Sequence, residues 1–140
     1  MSLYNTSIMF AALAVAQSVY LPEAAKGGEL EEVRPVFEHV LPNAPGKKLV
    51  ALVVDYGPGG KSDAHIHAKS AFIYARVLSG EIRSKVNDEE AKVYKVGEQF
   101  FELPGSRHGV SENASTTEPA SLLAVFIVDE GDEPLTTSEK

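Results

Sequence analysis

From residue 30 onward, apolar positions alternate with polar ones over short runs, and Gly, Pro, Asn or Asp separates one run from the next. That pattern predicts strands with one face turned to a core. Lys48–Tyr56 is a β-rich run closed by Gly57-Pro-Gly-Gly60, and His65-Ile-His67 lies in the next extended piece. Further strands are expected over Ala71–Leu78, Glu81–Val86, Ala91–Val96, Gln99–Leu103 and Arg107–Glu112. Ala120–Val128 is the most apolar run and reads as a strand buried on both faces. Prolines and glycines sit between these runs, so the pattern is that of an all-β barrel or sandwich.

The ends differ from this middle. Ile8–Ala16 is an apolar run too short to span a bilayer, and Ala14-Val-Ala16 before Gln17 resembles a signal-peptidase site. Residues 1–30 therefore read either as a segment containing a signal peptide or as an N-terminal arm packing on the domain or a partner. Cleavage after residue 16 would make the protein secreted or periplasmic; without it the protein is cytoplasmic. Residues 31–130 form the expected single barrel, and the acidic tail from 131 is expected to fray.

Composition narrows the chemistry. With 140 residues the chain fits one domain that buries a real core. Net charge is -7, from 20 acidic against 13 basic residues, and no Lys/Arg cluster offers a phosphate-binding stripe. Nucleic acid is therefore not an expected partner, nor is a membrane. The chain has no cysteine, which excludes disulfides, thiolate metal sites and cysteine nucleophiles. The Asn5 and Asn113 glycosylation sequons are common chance matches.

Three of the 4 histidines fall in two short segments, Gly59-Gly-Lys-Ser-Asp-Ala-His65-Ile-His67 and Pro104-Gly-Ser-Arg-His108. Side chains on a strand alternate faces, so His65 and His67 point the same way. With His108 they make a three-nitrogen metal site. The fourth histidine, His39, has no such company and reads as structural.

Those residues stand within two ordered half-motifs that resemble the cupin superfamily. The first motif has a Gly, a His-x-His pair, a Glu shortly after it and a closing Gly; here Gly59, His65, His67 and Gly80 match. The second has a Gly, Pro-x-Gly, His and a later Asn; here Gly97, Gly105 and His108 match, with Asn113 one position late and Leu103 in place of the Pro. The resemblance covers residues 33–128 and is nearest to small single-domain, quercetin-dioxygenase-like cupins. It implies a jelly-roll barrel, the double-stranded β-helix. The stretch from His67 to Gly80 is longer than the pattern, and the motif glutamate is absent: counting forward lands on Ala71, counting back on Ile73.

The resemblance implies one divalent transition metal on His65, His67 and His108, with Fe(II) the first choice and Zn, Ni, Mn or Cu as alternatives. Glu112 and Glu102 are candidate bases or outer partners. Phe72, Tyr74, Arg76, Phe100, Phe101 and Phe126 are candidate pocket residues. Strand parity puts Ile73, Ala75 and Val77 on the face that the motif glutamate would have occupied and Tyr74 and Arg76 opposite, and a bulge from the longer stretch would reverse that assignment. The expected function is a dioxygenase-type oxidoreductase acting on a small enolisable or aromatic molecule. An O2-independent isomerase or decarboxylase, or a non-catalytic ligand- or metal-binding barrel, are the alternatives. A homodimer is the expected assembly.

Overall fold

The computed structural model describes residues 30–140. The apolar run at 8–16, the N-terminal arm and the sequon at Asn5 lie outside the described residues. The described chain is ten strands without a helix: β1 (Glu31–Val40), β2 (Lys47–Tyr56), β3 (His65–His67), β4 (Phe72–Ser79), β5 (Glu81–Val86), β6 (Lys92–Lys95), β7 (Gln99–Glu102), β8 (Arg107–Asn113), β9 (Ala120–Asp129) and β10 (Thr136–Ser138). They form two antiparallel sheets, ordered β1-β2-β9-β4-β7 and β10-β3-β8-β5-β6. This is the all-β, jelly-roll class that the alternation predicts.

Parity explains the core. Along β9, Ala120, Leu122, Ala124, Phe126 and Val128 are buried, while Ser121, Leu123, Val125 and Ile127 turn outward and are partly or fully exposed. The strand is central in its sheet but, among the described residues, covered on the inner face only, where the sequence suggested burial on both faces. Along β4, Ile73, Ala75 and Val77 point inward. The inner faces form two apolar clusters. One contains Val50, Ile73, Ala124 and Phe126; the other contains Tyr56, Val77, Ile82, Phe100 and Leu122. Burying a ring such as Phe126 contributes up to about 3 kcal/mol.

The glycine landmarks have a geometric basis. Gly59, Gly80, Gly97 and Gly105 have φ of 72°, 66°, 85° and 72°. At Gly80 a Cβ would also come within 2.5 Å of the Pro119 carbonyl oxygen, so the β4–β5 turn excludes any side chain there.

Two regions depart from the sequence expectations. β1 carries Pro35 inside a strand, which is tolerated because β1 is an edge strand with a register shift between Pro35 and Phe37. The tail does not fray throughout. Thr136, Thr137 and Ser138 pair with His67, Ile66 and His65, and Arg107 forks onto Glu139 at 2.6–2.9 Å.

Candidate metal centre

The three histidines converge because β3 and β8 are neighbours. His65 lies opposite His108 in the register, and His67 shares the face of His65. One ring nitrogen from each falls within 4.8 Å of the others, so the group can hold a metal ion.

Each ring is oriented by what surrounds it. The Nδ1–H of His65 donates to the Asp63 carbonyl at 2.7 Å, leaving Nε2 with its lone pair. His108 Nε2 sits 2.8 Å from Ser84 Oγ, which turns Nδ1 toward the centre. His67 packs edge-on against Phe126, with ring centroids 5.6 Å apart. Burial pushes His108 down to about 4, with His65 and His67 adding to the shift and Glu102 opposing it. Burial lowers His65 as well, against the pull of its Asp63 hydrogen bond. Neutral imidazoles with free lone pairs are the form that ligates metals.

Glu102 stands among these rings. Its Oε2 lies 3.0 Å from His67 Nε2 and its Oε1 lies 3.3 Å from His108 Nδ1. Burial pushes its carboxyl up, but contact with His67 and the fields of His108, His67 and His65 outweigh that and hold it below the usual carboxylate range. Both ring nitrogens of His67 and Glu102 Oε2 are buried without any hydrogen bond. Uncompensated buried polar atoms are costly, and a cation among them removes that cost. Imidazole nitrogens with a carboxylate oxygen suit a divalent transition ion, so these residues fit one.

The centre opens into a cavity of about 280 Å³ between the two apolar clusters. Leu52, Val54, Leu122, Ala124 and Phe126 form much of its wall, and Leu135 and Thr136 of the tail contribute to it. A polar pole faces it from Tyr56, whose hydroxyl lies 2.6 Å from Ser62 Oγ and 2.9 Å from Ser111 Oγ. Ser62 in turn donates to the Glu31 carboxylate.

The other sequence candidates distribute unevenly. Phe126 lines the cavity. Phe100 is buried beside it, its centroid 6.0 Å from the His108 ring, and packs with Tyr94 rather than facing the cavity. Phe72, Tyr74, Arg76 and Phe101 lie on the outer face, Phe101 being 61% exposed and stacked on Phe72. The reason is parity: Ile73, Ala75 and Glu102 take the inward positions of β4 and β7, and the irregularity in β4 falls after Val77, too late to reverse the strand. Glu112 also points away from the centre and pairs with Arg83 at 2.6 Å. His39 stacks on Phe37 at the surface. Tyr56, Ser62, Ser111 and Ser84 escaped sequence reasoning. Single hydroxyls carry no spacing signal, and only the register brings them together.

Comparison with known proteins places these features in context. Residues 52–126, more than half of the chain, match the Cupin_2 family, described as a cupin domain. No curated protein matches the sequence. Among solved structures, an uncharacterized conserved protein with a double-stranded β-helix domain from Klebsiella pneumoniae is 20% identical, with a TM-score of 0.62 over 83% of this chain and 90% of that one. The protein TT1209 from Thermus thermophilus is 28% identical, with a TM-score of 0.56 over 72% of this chain and 86% of that one. An oxalate oxidase solved with the substrate analogue glycolate is 24% identical, with a TM-score of 0.54; the match covers 64% of this chain but only 45% of the oxidase. At such identity the oxidase and the Klebsiella protein speak for the fold alone. Two antiparallel sheets, the histidines of both half-motifs in one place and the match over residues 52–126 make the conclusion plain: this chain belongs to the cupin family.

Proposed function

We propose that this protein is a metal-dependent enzyme of dioxygenase type, acting on a small enolisable or aromatic compound whose oxygen atoms reach an ion held by His65, His67 and His108. The observation that carries this reading is the convergence of three imidazoles on the wall of a largely apolar cavity. A divalent transition ion held there would supply a Lewis acid for an enolate or catecholate and, if redox-active, a route for electrons to O2.

The chain's own residues set what enters. Leu52, Val54, Leu122 and Phe126 exclude water and accept an apolar body. Among the described residues that line the cavity none is Lys or Arg, whereas Glu31, Asp63, Glu102 and Glu133 all do. A compact dianion would find no protein countercharge there. A neutral or singly ionised enol or phenol meets no such penalty, which favours that substrate class.

The test is oxygen uptake by Fe(II)-reconstituted protein with a panel of β-diketones and catechols, in air and under anaerobic conditions. Substrate loss coupled to O2 consumption, abolished in His108→Ala, is the expected result. Equal turnover without O2 would replace the dioxygenase by an isomerase or decarboxylase that uses the ion as a Lewis acid. Protein that purifies without stoichiometric transition metal, and whose metal affinity is unchanged in His65→Ala and His108→Ala, would refute the enzyme reading.

A further inference from the structure

We propose that Glu102 is the fourth protein donor to the ion, so that the carboxylate missing from the first half-motif enters the centre from β7 instead of β4. The inference rests on the metal reading above and adds a ligand to it.

The two positions where the family pattern would put its glutamate are both apolar and sealed. Ala71 and Ile73 are 0% and 1% exposed, and neither side chain has a donor atom. Ile73, however, lies directly opposite Glu102 in the β4–β7 register. Paired residues on adjacent strands share a face, so Glu102 enters the same interior one strand over, about 4.8 Å away. On β7, Phe100 and Glu102 point inward and Phe101 outward, and the Glu102 side chain is 2% exposed.

The distances from Glu102 to two of the three histidines are compatible with donors sharing an ion. With bonds of roughly 2.0–2.2 Å, two donors at a right angle or a tetrahedral angle stand about 2.8–3.6 Å apart. Glu102 Oε2 to His67 Nε2 and Glu102 Oε1 to His108 Nδ1 measure 3.0 and 3.3 Å. Glu102 Oε2 and His67 Nε2 are both buried and neither makes a hydrogen bond, although they are close enough for one. A nitrogen and a carboxylate oxygen that are this close, buried and without an aligned hydrogen bond are in the arrangement that a shared cation satisfies. A buried carboxylate oxygen without a partner is strongly disfavoured, and direct coordination gives it one. The carboxylate also lowers the net charge of the site by one, which works in the same direction as the cation-free cavity: toward neutral or singly ionised substrates.

Co(II) titration of the full chain, followed by visible d–d absorption and calorimetry, separates the outcomes. The variants are Glu102→Gln, His108→Ala and the double change Ile73→Glu with Glu102→Gln; circular dichroism of each metal-free protein checks folding. A residue that only supports a ligand costs roughly 10- to 100-fold in affinity, so affinity alone does not decide. The expected result is a changed band position and intensity in Glu102→Gln with affinity down by about 100-fold or more, and recovery of most of that loss when Ile73→Glu restores a carboxylate at the family's position. An unchanged spectrum in Glu102→Gln, whether or not affinity falls, would overturn the proposal while leaving the three-histidine site standing. Wild-type protein that binds no Co(II), or binds it as His108→Ala does, would overturn the metal reading itself.

Discussion

Tyr56→Phe tests the polar pole of the cavity, and it has a pH signature that a generic core mutation lacks. Tyr56 is 2% exposed at the end of β2. Ser62 directs its one proton to Glu31, so the Tyr56 hydroxyl donates to Ser62 Oγ at 2.6 Å and accepts from Ser111 at 2.9 Å. Phenylalanine keeps the ring and loses both bonds, a cost of about 2 kcal/mol near neutral pH at roughly 1 kcal/mol per bond. Burial, reinforced by Glu31 and Glu112 and resisted by the two serine bonds, pushes Tyr56 up to about 12 from an ordinary 10.0. Its folded-state value lies above its unfolded one. The stabilisation is therefore complete below the ordinary value and is lost as pH rises through that window, at about 1.4 kcal/mol per unit. The wild-type advantage should fall from about 2 kcal/mol at about pH 8 to less than half of that at about pH 11, because the variant has no such group to ionise. Urea denaturation of both proteins across this range reads it directly, and tyrosinate absorbance should show one late-titrating ring that the variant lacks. A gap that stays constant with pH, or is absent at neutral pH, would refute the account of a buried, doubly bonded hydroxyl.

Three further changes test the scaffold. Asn113 donates to the Gly57 and Glu118 carbonyls at 3.0 and 2.7 Å and accepts from the Ser115 amide at 2.9 Å. Asn113→Ala should cost about 3 kcal/mol, seen as a lower urea midpoint at unchanged m-value. Gly80→Ala meets both a φ of 66° and the Pro119 carbonyl, and should cost upward of about 2 kcal/mol. Gly46→Ala, at φ 78° with nothing within 4 Å, isolates the backbone penalty and should cost only about 1 kcal/mol by the same assay.

What the sequence made legible was whatever depends on a few adjacent residues. The His65/His67 parity, the turn glycines and the inward set of Ile73, Ala75 and Val77 are local facts, and they carry straight into the fold. Glu102 was visible only as a nearby acidic residue, because its place in the centre depends on the β4–β7 register, which pairs residues 29 positions apart. Phe72, Tyr74, Arg76 and Phe101 lie outside for a local reason instead: alternation assigns them the face opposite Ile73, Ala75 and Glu102. β10 could not be read from its own three residues, since a short polar strand forms only where β3 offers an edge. β1 was obscured by Pro35, which an edge strand accommodates and a central one would not.

The proposed ligand set is partitioned differently from the pattern it resembles. There the first segment supplies three donors and the second supplies one. Here each segment supplies two: His65 and His67 from β3, and Glu102 from the end of β7 with His108 from the start of β8, either side of the β7–β8 connection. That connection is short and tightly held. Ser106 N–H donates to the Leu103 carbonyl at 3.1 Å, and Gly105 N–H donates to the Ala68 carbonyl at 3.2 Å. His67 N–H closes the link by donating to the Ser106 carbonyl at 2.9 Å. The backbone bond that fixes the first segment against the second therefore runs from one ligand residue to the turn between two others. On β7 the carboxylate is set opposite Ile73 by the β4–β7 register, and the short hydrogen-bonded turn that leads on to His108 adds a second constraint. Moving the donor from β4 to β7 preserves its chemistry while tying it through one short turn to His108, so that the β3–β8 pairing and the β4–β7 register together place the four ligands.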